Sequence, residues 1–130
     1  MASPGFSSKV QFTPVPNSFF GSILEDIDDL AELKLTMRVI WLVAQKKTLP
    51  RLVSLGELLS DQTLVRSVFI KSQDINFTIK MALDKAIERG TLVQAKSNDK
   101  RQEIVYFINN SINIVFYSRS FIFKFIIIFH

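Results

Sequence analysis

The side chains best placed to do chemistry in this 130-residue sequence are five cations in its second half. Lys96, Lys100 and Arg101 fall within six residues, and Lys85 and Arg89 precede them at a spacing of four. Lysine and arginine neutralise nucleic-acid phosphates, so we predict backbone contacts by the first three and secondary contacts by the other two. For the cluster of three, a solvated lysine-rich turn is the alternative.

Composition excludes several kinds of catalytic and metal site. The chain has no cysteine, and its one histidine is the last residue, His130. Thiolate zinc, thiol catalysis and a Ser-His-Asp relay therefore have no residues to build them. No glycine-rich phosphate loop or nucleophile–base pair is present, and the acidic run at 25–29 lacks the glycine turn of a calcium loop. The sequence predicts a protein without enzymatic activity, cofactor or metal.

Charge is divided unevenly along the chain. Residues 1–65 carry 6 bases and 7 acids, whereas residues 66–130 carry 10 bases and 5 acids. The positive second half is suited to weak, non-specific contact with DNA.

The length predicts one small domain. We expect residues 1–11 to be a disordered leader, residues 12–109 a folded domain and residues 110–130 an atypical tail. The leader has no apolar segment of signal-peptide length, and the uninterrupted apolar run at 125–129 is far shorter than a bilayer-spanning helix. We therefore expect a cytoplasmic protein that does not cross a membrane.

An aromatic arm opens the folded domain. Pro14 and Pro16 favour an extended chain, and Asn17 or Ser18 can then cap a short helix that reaches about residue 27. The large apolar side chains of this arm are Phe12, Val15, Phe19 and Phe20. Because a short arm seldom buries so much apolar bulk, we expect these residues to pack across a neighbouring protomer in a homo-oligomer. Covering of their own core is the alternative.

Two helices with capping boxes follow. The first is predicted over about 30–46, and Asp29 and Glu32 form the capping box at its start. Trp41 is expected in the core. One apolar face of this helix comprises Leu30, Leu33, Met37, Ile40 and Ala44. Its second half is apolar nearly all round, through Leu35, Val39, Trp41, Leu42 and Val43. Ser54 opens the second helix, which reaches residue 60, and an apolar turn follows over 61–68.

The clearest amphipathic helix is predicted over 74–89 and ends at Gly90. Its expected outward residues are Asp74, Thr78, Met81, Lys85, Glu88 and Arg89. Because acids offset the two bases there, base reading by this helix is not favoured. Strands at 91–95 and 103–108 then form a hairpin around a polar tip at 96–102. Helices followed by a hairpin predict a mainly α, α+β fold, a winged helix whose wing is the hairpin.

Residues 12–109 also resemble a known family in the order and spacing of several short motifs. These are Thr13-Pro14-Val15-Pro16-Asn17-Ser18-Phe19-Phe20, Leu30-Ala31-Glu32-Leu33-Lys34-Leu35-Thr36-Met37, Pro50-Arg51-Leu52-Val53-Ser54, Glu57-Leu58, Asp61, Ala82-Leu83, Ala86-Ile87-Glu88-Arg89-Gly90-Thr91-Leu92 and Tyr106-Phe107-Ile108-Asn109. They resemble the N-terminal domain of the DnaD-like bacterial replication initiation and primosome family. The resemblance implies a winged helix that self-associates as a scaffold in replication initiation or restart, with replication initiation proteins as partners.

The tail departs from that family at Asn110. A polar linker and a second, DNA-binding helical domain would follow there, whereas residues 111–130 hold six Ile and five Phe. We interpret the tail as the product of a frameshift, a truncated gene or read-through. A winged-helix transcriptional regulator that binds a specific operator is the alternative function.

Overall fold

The computed structural model describes residues 5–47, 49, 51–97, 100–110 and 125–128. Within them the chain forms a short 3-10 helix, five α-helices and a four-stranded antiparallel sheet, an α+β fold. The α-helices are α1 (Ser22–Asp26), α2 (Leu30–Ala44), α3 (Leu55–Ser60), α4 (Gln62–Val68) and α5 (Ile75–Arg89). The strands are β1 (Val53–Ser54), β2 (Leu92–Ser97), β3 (Ile104–Ile108) and β4 (Phe125–Ile128). None of the helices in the described ranges has the length and hydropathy of a bilayer-spanning segment.

The single helix predicted near the N-terminus is divided in two. A 3-10 helix spans Asn17–Phe20, and α1 begins only after Gly21, whose φ of −114° and ψ of −113° lie outside the helical region. The break turns Phe19 inward, where it is 4% exposed, while Phe20 stays 60% exposed. The two neighbouring rings therefore face different environments.

Local capping signals define the next helices. Asp29 caps α2 by accepting a hydrogen bond from the Glu32 amide, at 3.1 Å. The Glu32 side chain does not complete the predicted capping box, because it forms an ion pair with Arg89 instead. Ser54 and Glu57 do form the reciprocal box at the start of α3, as predicted. The turn expected over 61–68 is the regular helix α4, which Asp61 caps.

The predicted hairpin is confirmed. Asp74 caps α5, and Gly90 ends it in the left-handed conformation with φ +91°. β2 then pairs antiparallel with β3, with Gln94 opposite Tyr106. The strand order is β1-β3-β2-β4, so β1, from the connection between α2 and α3, flanks β3, and β4 flanks β2.

The sheet separates two apolar clusters because side chains alternate between its faces. Leu92 and Tyr106 point to the helices and join the main core. That core also includes Leu35, Val39, Leu58, Leu64, Ile79, Leu83 and Ala86. Val93, Ala95, Val105 and Phe107 form a second buried cluster on the opposite face.

Several predicted side-chain positions were wrong. On the apolar face predicted for α2, Leu30 and Met37 are 61% and 40% exposed, because the helix buries the neighbouring stripe instead. Trp41 is 41% exposed, because the buried stripe of α2 runs through Leu35, Val39 and Val43 and leaves the indole on the other side. There the Arg38 guanidinium lies 4.3 Å from the ring centre. Thr78, predicted to face outward, is 4% exposed, and its hydroxyl donates to the Gln73 side chain at 2.8 Å.

Candidate nucleic-acid interface

Arg89, one of the two predicted phosphate-contacting residues on α5, is held within the fold. Its Nε lies 2.6 Å from Glu32 Oε2, and its Nη2 lies 3.0 Å from Oε1. The Glu32 side chain is fully buried and that of Arg89 is 23% exposed. The paired carboxylate raises the pKa of Arg89, so the guanidinium stays charged. Arg89 therefore neutralises a buried acid rather than presenting its charge to a ligand.

Lys85 has a similar environment. Its Nζ lies 3.4 Å from Asp29 Oδ2. Asp28 and Glu88 line the same shallow depression, together with Glu32. Acids therefore balance or exceed bases over the C-terminal half of α5, which makes this face a poor phosphate contact.

The predicted wing cations occupy two different environments. Lys96 was expected in the polar tip, but it lies within β2, between Ile104 of β3 and Ile126 of β4. The backbone pairing extends β2 to Ser97, whose amide donates to Glu103 at 2.8 Å. Lys96 is half-buried on the face that carries Leu92, whereas Lys100 and Arg101 are exposed in the connection. Tip residues 98–99 lie outside the described residues.

Sequence reasoning missed three exposed cations around the α4–α5 connection. Arg66 lies in the last turn of α4, Lys71 in the connection and Lys80 on α5. None of the three forms an ion pair with a carboxylate among the residues that the structure describes. Apolar side chains stand beside them: Phe69 is 62% exposed and Phe77 is 50% exposed. A signal was present in the sequence, because three bases and one acid occur over 66–81.

The four predicted oligomerisation residues differ in how far they are exposed to solvent. Phe12 is 89% and Phe20 60% exposed, whereas Phe19 is buried in its own subunit. Val15 is half-buried and lines a groove of about 480 Å³ against the C-terminal half of α2. The other apolar walls of this groove include Ile40, Val43, Leu49 and Ile108. The arm thus covers part of its own core while leaving two rings in solvent.

The described residues contain no group of three or more acidic, histidine or cysteine side chains that could hold a metal ion.

The chain matches no family model, and no similar protein is found among curated sequences or solved structures.

Proposed function

We propose that the chain is a winged-helix module that acts as a scaffold in bacterial replication initiation or restart, in the manner of the DnaD-like proteins it resembles. It works in the cytoplasm by self-association and by weak, non-specific contact with DNA or replication initiation proteins, without catalysis. The order α2, β1, α3 to α5, β2 and β3 supports this fold. One observation carries the proposal: the hairpin that follows α5 through Gly90 also pairs with β1.

The exposed rings support self-association. Phe12 and Phe20 of the N-terminal arm present large apolar surfaces to solvent. Val15 of the same arm lines an open apolar groove. Aromatic side chains bury about 150–250 Å² each when they dock, so two rings per subunit would be anchors within a larger contact between copies. The arm of one protomer would then lie across the groove of its partner.

The charge distribution supports weak rather than sequence-specific DNA contact. The C-terminal half of α5 is neutralised by Glu32, Asp29 and their neighbours, so it brings little net charge to a major groove. Lys100 and Arg101 remain exposed on the connection between β2 and β3. Contacts of this kind bind phosphates without reading bases, and their affinity falls steeply with salt.

Sedimentation velocity tests self-association. We expect Phe12→Ala with Phe20→Ala to shift the profile toward monomer without changing thermal unfolding. The matched control is Phe19→Ala, which removes a buried ring and should lower the unfolding temperature instead. A wild-type chain that is already monomeric at all concentrations would refute the self-association.

Duplex binding at graded salt separates the scaffold from a transcriptional regulator. A scaffold should bind unrelated duplexes alike and lose affinity as salt rises. A preference of ~10³-fold or more for one duplex would instead favour the regulator.

A further inference from the structure

We propose that the surface around the α4–α5 connection binds single-stranded nucleic acid, with Arg66, Lys71 and Lys80 contacting phosphates and the rings of Phe69 and Phe77 stacking on bases. This inference rests on the nucleic-acid contact of the proposed function and assigns it a surface and a ligand.

The five residues lie at one end of a packed pair of helices. α4 ends at Val68, and Phe69 begins the six-residue connection to α5. A hydrogen bond of 3.0 Å from the Gln73 amide to the Ile70 carbonyl closes a turn within that connection. Phe77 then stands in the first turn of α5, with Lys80 one turn further along.

Charge at this surface is available to a ligand. Over 66–81 the one acid is Asp74, whose carboxylate is used as the cap of α5 and accepts from the Phe77 amide at 3.4 Å. The contrast within α5 is direct: Lys85, five residues beyond Lys80, faces Asp29 at 3.4 Å. Among the described residues, Lys80 is therefore the cation of α5 without an ion pair, and Arg66 and Lys71 add two further positive charges over 66–81, which complement a polyanion.

The exposed rings favour a single strand over a duplex. Phe69 and Phe77 are 62% and 50% exposed, and Ile70 and Met81 beside them are 48% and 42% exposed. A duplex keeps its bases stacked on each other, whereas a single strand offers a free π-face at every base. Cations beside exposed aromatic rings are the combination used by sequence-independent single-strand binders.

The test measures binding of the full chain to fluorescently labelled oligonucleotides by fluorescence anisotropy. The ligands are oligo(dT), oligo(rU) and a mixed-sequence duplex, each about 20 nucleotides long. We expect the single strands to bind more tightly than the duplex. Similar affinity for oligo(dT) and oligo(rU) would assign the site to single strands generally, and a preference for either would name the natural ligand. Equal or tighter duplex binding would overturn the inference.

Substitutions locate the site. Phe69→Leu and Phe77→Leu keep an apolar side chain but remove the ring, so each should weaken oligo(dT) binding roughly 5- to 150-fold if stacking is lost completely. Lys80→Ala should reduce the slope of log affinity against log salt by about 0.7, the value for one phosphate contact with a single strand. Lys85→Ala, the matched control, should leave the slope unchanged. All variants should unfold at the wild-type temperature.

Other outcomes distinguish the two proposals. Binding that is lost in Lys100→Ala with Arg101→Ala but kept in Lys80→Ala and Phe77→Leu would retain DNA contact at the wing and overturn this site. No binding to any oligonucleotide would overturn both the site and the DNA contact, while self-association would still be tested by sedimentation. If Phe69→Leu with Phe77→Leu gives monomer without changing anisotropy, the surface joins two copies of the chain and the inference is wrong.

Discussion

The Arg89–Glu32 pair has the largest expected effect of any single side-chain interaction described above. Removing one partner of a buried ion pair leaves an uncompensated charge, so we expect Arg89→Met to lower the free energy of unfolding by about 3–5 kcal/mol. Replacing both partners, as Glu32→Leu with Arg89→Met, should restore most of that loss because no buried charge remains. Urea denaturation measures both values. Equal destabilisation in the single and double variants would show that the pair's effect does not come from the unpaired carboxylate.

Asp61 makes stability depend on pH. Its carboxylate accepts two hydrogen bonds from Arg38, at 2.8 and 3.1 Å, and caps α4. The bond to Arg38 lowers the pKa of Asp61, although burial opposes the shift. A lowered pKa in the folded state means that this stabilisation is complete above the ordinary value of 3.8 and is lost as pH falls through the lowered value.

We therefore expect Asp61→Asn, which keeps a capping side chain, to destabilise the chain at neutral pH and to have a diminishing effect below pH 3.8. Chemical denaturation of the wild-type chain and of the variant, from neutral pH to below pH 3.8, measures the difference in their free energies of unfolding. A constant difference at every pH would contradict the assignment. Trp41 is a convenient fluorescent probe, since the Arg38 guanidinium stacks on its ring.

At the level of secondary-structure elements, Gly90 and Gly56 have opposite roles. Gly90 ends α5 at φ +91°, where a side chain is strained, although the nearest atom to an added Cβ would be Asn109 Nδ2 at 3.9 Å. Gly56 lies inside α3, and its nearest neighbour, Ser54 Oγ, is 3.8 Å away. We expect Gly90→Ala to destabilise by about 1–2 kcal/mol through backbone strain. Gly56→Ala should stabilise by roughly 0.5–1 kcal/mol through helix propensity.

Thermal unfolding of the two alanine variants measures these effects. Because both changes add one methyl group to an open position, their opposite signs would isolate backbone conformation as the cause. A neutral Gly90→Ala variant would show that the connection from α5 to β2 does not require the left-handed conformation.

At the scale of the whole molecule, the tail is joined to the domain through β4. Gln94 to Ser97 of β2 pair with residues 125–128, so a chain that ends at Asn110 would expose that edge of β2. If a few net hydrogen bonds of about 0.5–1.5 kcal/mol each are lost, the unfolding temperature should fall by on the order of 10 °C.

The control is removal of residues 1–10, because the described part of that segment, 5–10, forms no helix or strand. Differential scanning calorimetry of both truncations makes the comparison. Unchanged unfolding after removal of the tail, together with higher solubility, would instead support its interpretation as a gene artefact.

Interactions between residues close in sequence were predictable. The Ser54–Glu57 box, the left-handed Gly90 and the hairpin all depend on neighbours a few residues apart, or on strands joined by a short connection. Apolar periodicity likewise located α5. The split at Gly21 was missed because the apolar spacing of that segment continues across it.

Neighbours along the chain specify the Asp29 and Ser54 caps, the hairpin and the positive charge of the second half. Packing between elements that are distant along the chain determines which of those charged side chains are exposed to a ligand. Arg89 pairs with Glu32, 57 residues away, and Lys96 lies between two strands, whereas Lys80 faces solvent. The physical reason is that spacing along the chain specifies the type of a side chain and its helical face, but its neighbours across the core depend on how the faces pack.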